Sequence, residues 1–152
     1  MAYIKEIRDL VGHRPLILTS ASGALVTKQG AVLLQERADT GDWGFPGGYM
    51  EFGETFAQTA VREFKEDAGI VVQPVKLLGM FDSDTYTYPN GDLVQPVNAF
   101  YLVNRVDDHQ YATKLSETVT TRYFSLHAPA PRFFNRQHAE MWAALKEYLA
   151  KH

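Results

Sequence analysis

The 152-residue sequence contains no cysteine, and this absence excludes disulfide bonds, zinc–thiolate sites and thiol nucleophiles together. Long apolar runs are also absent. No stretch approaches the roughly 20 apolar residues that span a bilayer, and the first residues lack the apolar core of a signal peptide. We therefore expect a cytoplasmic protein that has no membrane partner.

An excess of positive charge is missing as well. Lys and Arg total 15 against 18 Asp and Glu, which gives a net charge of -3. A nucleic-acid-binding protein needs a basic surface to collect phosphate contacts, so we expect no nucleic acid polymer as a partner. A small phosphorylated ligand stays open, because a few local charges and a metal ion suffice to hold one. The five histidines show no metal-ligand spacing, which indicates structural or exposed roles for His13, His109, His127, His138 and His152.

What the sequence does contain is the composition of a globular protein, with 45% hydrophobic and 22% charged residues. We predict one domain, residues 1–152, without repeats or linkers. Hydrophobic periodicity predicts helices over 2–10, 55–68 and 135–150, and strands within 16–26, 31–34, 70–88, 92–106 and 119–126. The strands flanking Lys28-Gln29-Gly30 are predicted to form a β-hairpin, and residues 38–53 to be largely loop. Strands with interspersed helices indicate an α/β (α+β) fold, a mixed sheet covered by helices.

The helix predicted from Thr55 carries an unusual group of acidic side chains. Thr55 and Gln58 form a capping-box pattern. Successive residues of a helix are about 100° apart around its axis. On this helix Asp67 lies within the apolar face, Glu63 lies at the edge of that face, and Glu66 lies about 60° from Glu63 on the polar side. Like charges three and four residues apart are unfavourable without compensation. A hard divalent cation such as Mg²⁺ resolves the conflict; an ordinary solvated acidic face is the alternative.

A glycine-rich loop precedes this helix. Gly47 and Gly48, after Pro46, allow the backbone to approach a ligand closely, although a plain tight turn would also suit them. Arg62, beside Glu63, offers a planar fork able to clamp a carboxylate. A glycine turn followed by a carboxylate helix with this arginine favours the metal-site interpretation.

These residues resemble the signature of the Nudix hydrolase family, G-x5-E-x7-R-E-U-x-E-E-x-G-U, where U is apolar. Gly48, Glu54 and residues 62–70, Arg-Glu-Phe-Lys-Glu-Asp-Ala-Gly-Ile, match every defined position except one. Asp67 stands where the family usually has Glu. The lead-in at 43–48, Trp-Gly-Phe-Pro-Gly-Gly, is also similar to the family, and the specific resemblance covers residues 43–70.

The resemblance implies an α/β/α sandwich around a central mixed β-sheet, with the signature at 48–70. It also implies Mg²⁺-dependent hydrolysis, with Mn²⁺ as a possible substitute, of a nucleoside diphosphate derivative. By position, the expected metal ligands are Glu63, Glu66 and Asp67 with the Gly47 carbonyl. Glu54 is expected behind them, and Arg62 to orient a carboxylate. Aspartate is one methylene shorter than glutamate, so we expect metal binding at position 67 to be altered rather than lost.

The general base for the attacking water is left open between Glu63 and Glu117, since family members differ in this residue. Further expected substrate contacts lie on segments that should border the site: Arg37 for a phosphate, Gly48 in the loop, and Trp43, Phe81, Tyr86 and Tyr88 for stacking on a base. Packing or surface pairing are the alternatives for these side chains.

The substrate itself is not named by the signature. Nucleoside triphosphates, oxidised nucleotides, ADP-ribose, nucleotide sugars and dinucleoside polyphosphates all remain candidates, because selectivity lies in other loops. A non-catalytic Nudix-fold nucleotide sensor is the competing hypothesis. Such a sensor should have lost a ligand carboxylate, and here all are acidic. The resemblance also makes a homodimer possible.

Overall fold

The computed structural model describes residues 2–114 and 116–152. Within them are three helices, α1 (Ala2–Val11), α2 (Phe56–Ala68) and α3 (Arg136–Lys151). The strands are β1 (Leu16–Leu25), β2 (Ala31–Arg37), β3 (Trp43–Gly44), β4 (Gly47–Tyr49), β5 (Val72–Phe81), β6 (Tyr86–Thr87), β7 (Leu93–Arg105) and β8 (Thr118–Ser125). None of the helices in these two ranges is both long and apolar enough to cross a membrane.

Two sheets form the frame of the fold. The larger has the order β4-β1-β7-β5, with β6 also paired to β7, and the smaller has the order β3-β2-β8. Strands β1 and β7 run parallel over ten residue pairs, from Leu16 opposite Val94 to Leu25 opposite Val103. The other pairings in the larger sheet are antiparallel. The sheet is therefore mixed, which confirms the predicted fold class.

The predicted β-hairpin is wrong. Strands β1 and β2 are joined by a turn in which Thr27 N–H donates to Ala31 O at 2.8 Å, but they belong to different sheets. Their one isolated bridge among the described residues joins Val26 and Val32. Strand β1 lies between β4 and β7, and its last six residues are all buried. Both edges of β1 are hydrogen-bonded, one to β4 and the other to β7, so neither is left for pairing with β2.

Two other boundaries also differ from expectation. The segment 38–53 contains the short strands β3 and β4 as well as loop, and the segment 70–88 divides into β5 and β6. The three helices lie where periodicity predicted them, within two residues at each end. Residues 88–92 form a turn between β6 and β7, with Tyr88 N–H donating to Asp92 O at 2.8 Å.

Helices cover both faces of the larger sheet. Successive residues of a strand point to opposite faces. Leu25 of β1 packs in a cluster with Phe64 of α2, while Ala24 packs in another cluster with Met141 and Leu145 of α3. The chain is thus an α/β/α sandwich, and the edge near β4 is where α2 meets both the larger sheet and the glycine loop.

Helix α2 is fixed at both ends. Gln58 N–H donates to Thr55 Oγ1 at 3.1 Å and Thr55 N–H donates to Gln58 Oε1 at 2.9 Å, which confirms the capping box. At the other end Gly69 has φ 69°, and its N–H donates to Lys65 O. A side chain at Gly69 would collide with Gln110 and the Tyr111 carbonyl, so glycine is needed for space as well as conformation.

We expect Thr55→Ala to lower the free energy of unfolding by about 1 kcal/mol, because it removes the acceptor for the Gln58 N–H. Urea denaturation followed by circular dichroism measures this loss. Thr55→Ser keeps the hydroxyl and is the matched control, expected to retain most of the stability. Equal loss in both variants would contradict a role for the cap.

Candidate active site

Three carboxylates converge at the edge of α2. Oxygen atoms of Glu63, Asp67 and Glu117 all lie within 4.8 Å of one another. Glu63 and Asp67, four residues apart on one face of α2, are only 2% and 1% exposed. Glu117 directly precedes β8 and is the most exposed of the three. We call these three residues the carboxylate cluster.

Burial of the carboxylate cluster disfavours its negative charge. Burial raises the pKa of Glu63 to about 7, with the Arg62 guanidinium opposing and the Glu66 carboxylate adding to the rise. Burial likewise raises the pKa of Asp67, reinforced by the Glu63 charge. Two buried acids beside a third are the arrangement that a nearby positive charge stabilises most.

Asp67 is held in place by neutral donors. Its Oδ2 accepts from Gly47 N–H at 3.0 Å and from Gln35 Nε2 at 3.1 Å. Gln35 is itself oriented, because its Oε1 accepts from Thr118 Oγ1 at 2.6 Å. The role of Gln35 was not predicted from the sequence. Its one signal in the sequence is an amide directly after the apolar run 31–34, and the structure shows that the residue is only 3% exposed.

Arg62 connects the glycine loop to the helix. Its Nε donates to Glu54 Oε2 at 2.6 Å and its Nη2 to Glu54 Oε1 at 2.9 Å, a bidentate pair. Nη2 also donates to Tyr49 O at 3.0 Å, and Nη1 donates to Glu63 Oε1 at 2.9 Å. Hydrogen bonds from Arg62 hold the pKa of Glu54 at about 2, well below its usual value. The arginine therefore clamps Glu54 and orients Glu63, as its position in the signature suggested.

Glu66 is placed differently from the other acidic residues of α2. Its Oε2 accepts from Arg62 Nη1 at 3.1 Å, and its Oε1 lies 3.4 Å from Lys114 Nζ. Of the ligand set expected from the signature, the structure brings Glu63 and Asp67 together, with Glu117 as the third member in place of Glu66. From the sequence, Glu117 is a candidate for an additional metal-binding or basic glutamate, and the base is left open between it and Glu63.

Glycine is required at both positions of the loop beneath the cluster. A methyl group on Gly48 would lie 2.5 Å from Glu63 Cδ, and one on Gly47 would collide with the Ala21 carbonyl and the Ser22 side chain. The main chain of β4 therefore forms the floor of the site, in contact with the Glu63 carboxylate.

A cavity of about 810 Å³ opens onto the carboxylate cluster. Besides the cluster, the floor glycines and Gln35, it is lined by Arg37, Asp39, Tyr49, Tyr88, Asn90, Asp92, Val94 and Ser116 and by Ile4, Lys5 and Arg8 of α1. The sequence did not predict that α1 lines the cavity, because an amphipathic pattern indicates only a helix that packs against the core. A volume of this size suits a small-molecule ligand.

The residues predicted to contact substrate divide into two groups. Arg37, Gly48 and Tyr88 line the cavity. The structure does not place the other three among its lining residues: Trp43 packs edge-on against Phe124, Phe81 packs against Phe100 in the core, and Tyr86 packs against Tyr88. Arg37 forms a bidentate pair with Asp39, at 3.0 and 2.8 Å.

Residues 17–145 match the family model described as NUDIX domain. The chain belongs to the Nudix family. A MutT-like protein of Streptomyces ambofaciens is 38% identical over 71 residues, covering 47% of this chain and 46% of that protein. An ADP-ribose pyrophosphatase of Methanocaldococcus jannaschii is 34% identical over 88 residues, covering 53% and 52% of the two chains.

The Nudix fold is also found across the length of the chain. The crystal structure of an ADP-ribose pyrophosphatase from Streptococcus suis superposes with a TM-score of 0.69 at 24% identity, covering 87% of this chain and 91% of that one. At this identity the likeness concerns the fold alone. The curated relatives are matched over about half of their length or less.

One Nudix-fold histidine behind the site is buried and neutral. Nδ1 of His138, at the start of α3, accepts from Phe45 N–H at 3.0 Å, so the proton of the neutral ring is on Nε2. Burial and the Arg37 charge lower the pKa of His138 to about 3. The histidines were expected to be structural or exposed, and His138 fits the first description.

The low pKa of His138 predicts acid sensitivity of the fold. Between pH 6.5 and 3 the unfolded chain binds a proton at this position that the folded chain excludes, so stability falls as pH falls. From pH 6.5 to 5 this histidine should cost the wild type about 1–2 kcal/mol. His138→Gln retains an acceptor and removes the titration. We expect urea denaturation to show a shallower pH dependence for the variant, and parallel profiles would refute the assignment.

Proposed function

We propose that this Nudix protein is a Mg²⁺-dependent pyrophosphohydrolase, with Mn²⁺ as a possible substitute, that cleaves the diphosphate linkage of a nucleoside diphosphate derivative. The observation that carries the proposal is the carboxylate cluster at the wall of an 810 Å³ cavity. Family membership supports it, as do relatives named ADP-ribose pyrophosphatase and MutT-like protein.

The donor set of the cluster fits a hard divalent cation. Three carboxylates with oxygens within 4.8 Å, two of them buried with raised pKa, offer charge-bearing oxygen ligands and no nitrogen or sulfur. Glu63, Asp67 and Glu117 would hold the ion, with the Gly47 carbonyl and Glu66 as additional ligands. When bound, the metal would neutralise charge on the diphosphate and polarise it toward attack by water.

The remaining work falls to the chain's own residues. Glu117, the most exposed member of the cluster, is the group we assign to accept the proton of the attacking water, because Glu63 is engaged by Arg62. Arg62 acts as a positioning residue, holding Glu63 through one hydrogen bond and the glycine loop through another. Arg37, fixed by Asp39, presents a cation to a substrate phosphate at the cavity wall.

The decisive experiment is turnover with Mg²⁺ on a panel of nucleoside triphosphates, ADP-ribose, nucleotide sugars and dinucleoside polyphosphates, with products identified by chromatography. We expect a nucleoside monophosphate among the products of at least one compound. Glu63→Gln should lower kcat by at least about 100-fold, because it removes a charged oxygen from the cluster.

Glu147→Gln is the matched control for this experiment, since Glu147 is exposed on α3 and pairs only with Lys151 among the described residues. It should retain the wild-type rate. Nucleotide binding without turnover of any compound would instead favour a non-catalytic sensor.

The assignment of Glu117 has its own test. If Glu117 accepts the proton, Glu117→Gln should lower kcat by roughly 100- to 10,000-fold at saturating Mg²⁺, with little change in KM. A near-normal rate would remove Glu117 from the mechanism. A loss that high Mg²⁺ concentrations restore would leave Glu63 as the base and Glu117 as a ligand only.

A further inference from the structure

A second, smaller cavity adjoins the first on the α3 side of the sheet. It measures about 40 Å³ and lies between β1, β7 and the start of α3. We call it the amide chamber, after two of the three side-chain amides in its wall, Asn98 and Gln137. Arg37, Gly47, Gly48, Tyr49 and Tyr88 line both this chamber and the large cavity, so the two spaces are neighbours.

Both amides leave a buried oxygen without a hydrogen-bond donor from the described residues. These are Asn98 Oδ1 and Gln137 Oε1, in side chains of residues that are 4% and 2% exposed. A buried acceptor with no donor is rare in folded proteins, and each case needs an explanation. The site machinery described above uses neither residue.

The orientation of Gln137 follows from its other contact. Gln137 Nε2 donates to Pro96 O at 2.9 Å, and a carbonyl can only accept, so Oε1 must face the other way. Asn98 Nδ2 lies 3.1 Å from Ser22 Oγ and 3.7 Å from Met141 Sδ, and its Oδ1 has no donor among the described residues. The wall of the chamber therefore contains two amides that each have an unpaired acceptor.

The charges around the chamber limit what it would bind. His138 lines it and is neutral, and its Nδ1 is occupied by the Phe45 N–H. Arg37 lines it and disfavours a second cation. The chamber therefore suits a small neutral group that donates two hydrogen bonds. An exocyclic amino group of a nucleobase is such a group, and aromatic rings of Tyr88 and Phe134 stand beside it.

We propose that the amide chamber selects the nucleobase of the substrate, with Asn98 and Gln137 accepting hydrogen bonds from the amino group of adenine, guanine or cytosine. This inference rests on the proposed function, since the diphosphate of the same molecule would lie at the carboxylate cluster. The 40 Å³ volume admits the amino-bearing edge of a base, and the rest of the ligand occupies the larger cavity. A base that carries a carbonyl at that position would place its oxygen against the amide oxygens of Asn98 and Gln137.

The test compares pairs of substrates in which one member carries the amino group and the other lacks it. Cytidine and uridine form one pair, adenosine and inosine a second, and guanosine and inosine a third, each as the derivative that the wild type turns over. For at least one pair we expect kcat/KM to favour the amino-bearing member by at least tenfold, because its competitor leaves buried acceptors unpaired. Equal kcat/KM within all pairs would overturn the proposal.

Gln137→Met preserves length and removes the acceptor, so the preference should fall to within about threefold of unity. Gln95→Met is the matched control: Gln95 also donates to a backbone carbonyl, that of Asp82, but it does not line the chamber. It should keep the wild-type preference. Because the readout is a ratio of two substrates, partial unfolding of a variant does not affect it. A preference unchanged in Gln137→Met would also overturn the proposal.

Failure of hydrolysis would not leave the chamber untested. If no compound is turned over, the same pairs are compared by calorimetric Kd in the presence of Mg²⁺. A tenfold preference that disappears in Gln137→Met then supports the chamber while the proposed hydrolysis fails. Equal Kd values, or no binding of either member of any pair, would overturn the chamber as well.

Discussion

The site depends on one guanidinium group. The Arg62 guanidinium donates hydrogen bonds to the carboxylates of Glu54, Glu63 and Glu66 and to the Tyr49 carbonyl. These bonds join the glycine loop, the acidic flank of α2 and the segment between them. Its hydrogen bond to Glu54 is the main cause of the raised pKa of Arg62, against the effect of burial. An arginine that never loses its proton keeps this frame assembled across the working pH range.

Around that frame the fold accepts a local cost. Glu63 and Asp67 lie on the buried face of α2, in positions that an ordinary amphipathic helix would give to apolar side chains. The cost is offset by neutral donors from Gln35 and Gly47, by Arg62, and by caps that hold α2 at both ends. Because α2 places acidic side chains against the protein core, its two ends must stay folded.

What could be read from the sequence was local. The capping box at Thr55 and the contact of Arg62 with Glu63 both involve residues within one turn of each other. The hairpin prediction failed because β1 pairs with β7, about 78 residues later, and no nearby signal records that partnership. For the same reason the sequence did not indicate the roles of three buried amides, Gln35, Asn98 and Gln137. A buried amide is recognisable only once its neighbours in the fold are known. Trp43 and Phe81 have the residue type expected beside a base, but packing in the core accounts for both.

The glycine floor divides the binding site into a part that can change and a part that cannot. At Gly47 and Gly48 any side chain meets the backbone of β1 or the Glu63 carboxylate, so the surface beneath the carboxylate cluster is main chain and is closed to variation by mutation. The walls formed by α1, β7 and α3 carry side chains and have no such restriction. Mutation can therefore reshape the cavity through those walls, while the main chain beneath the carboxylate cluster stays as it is.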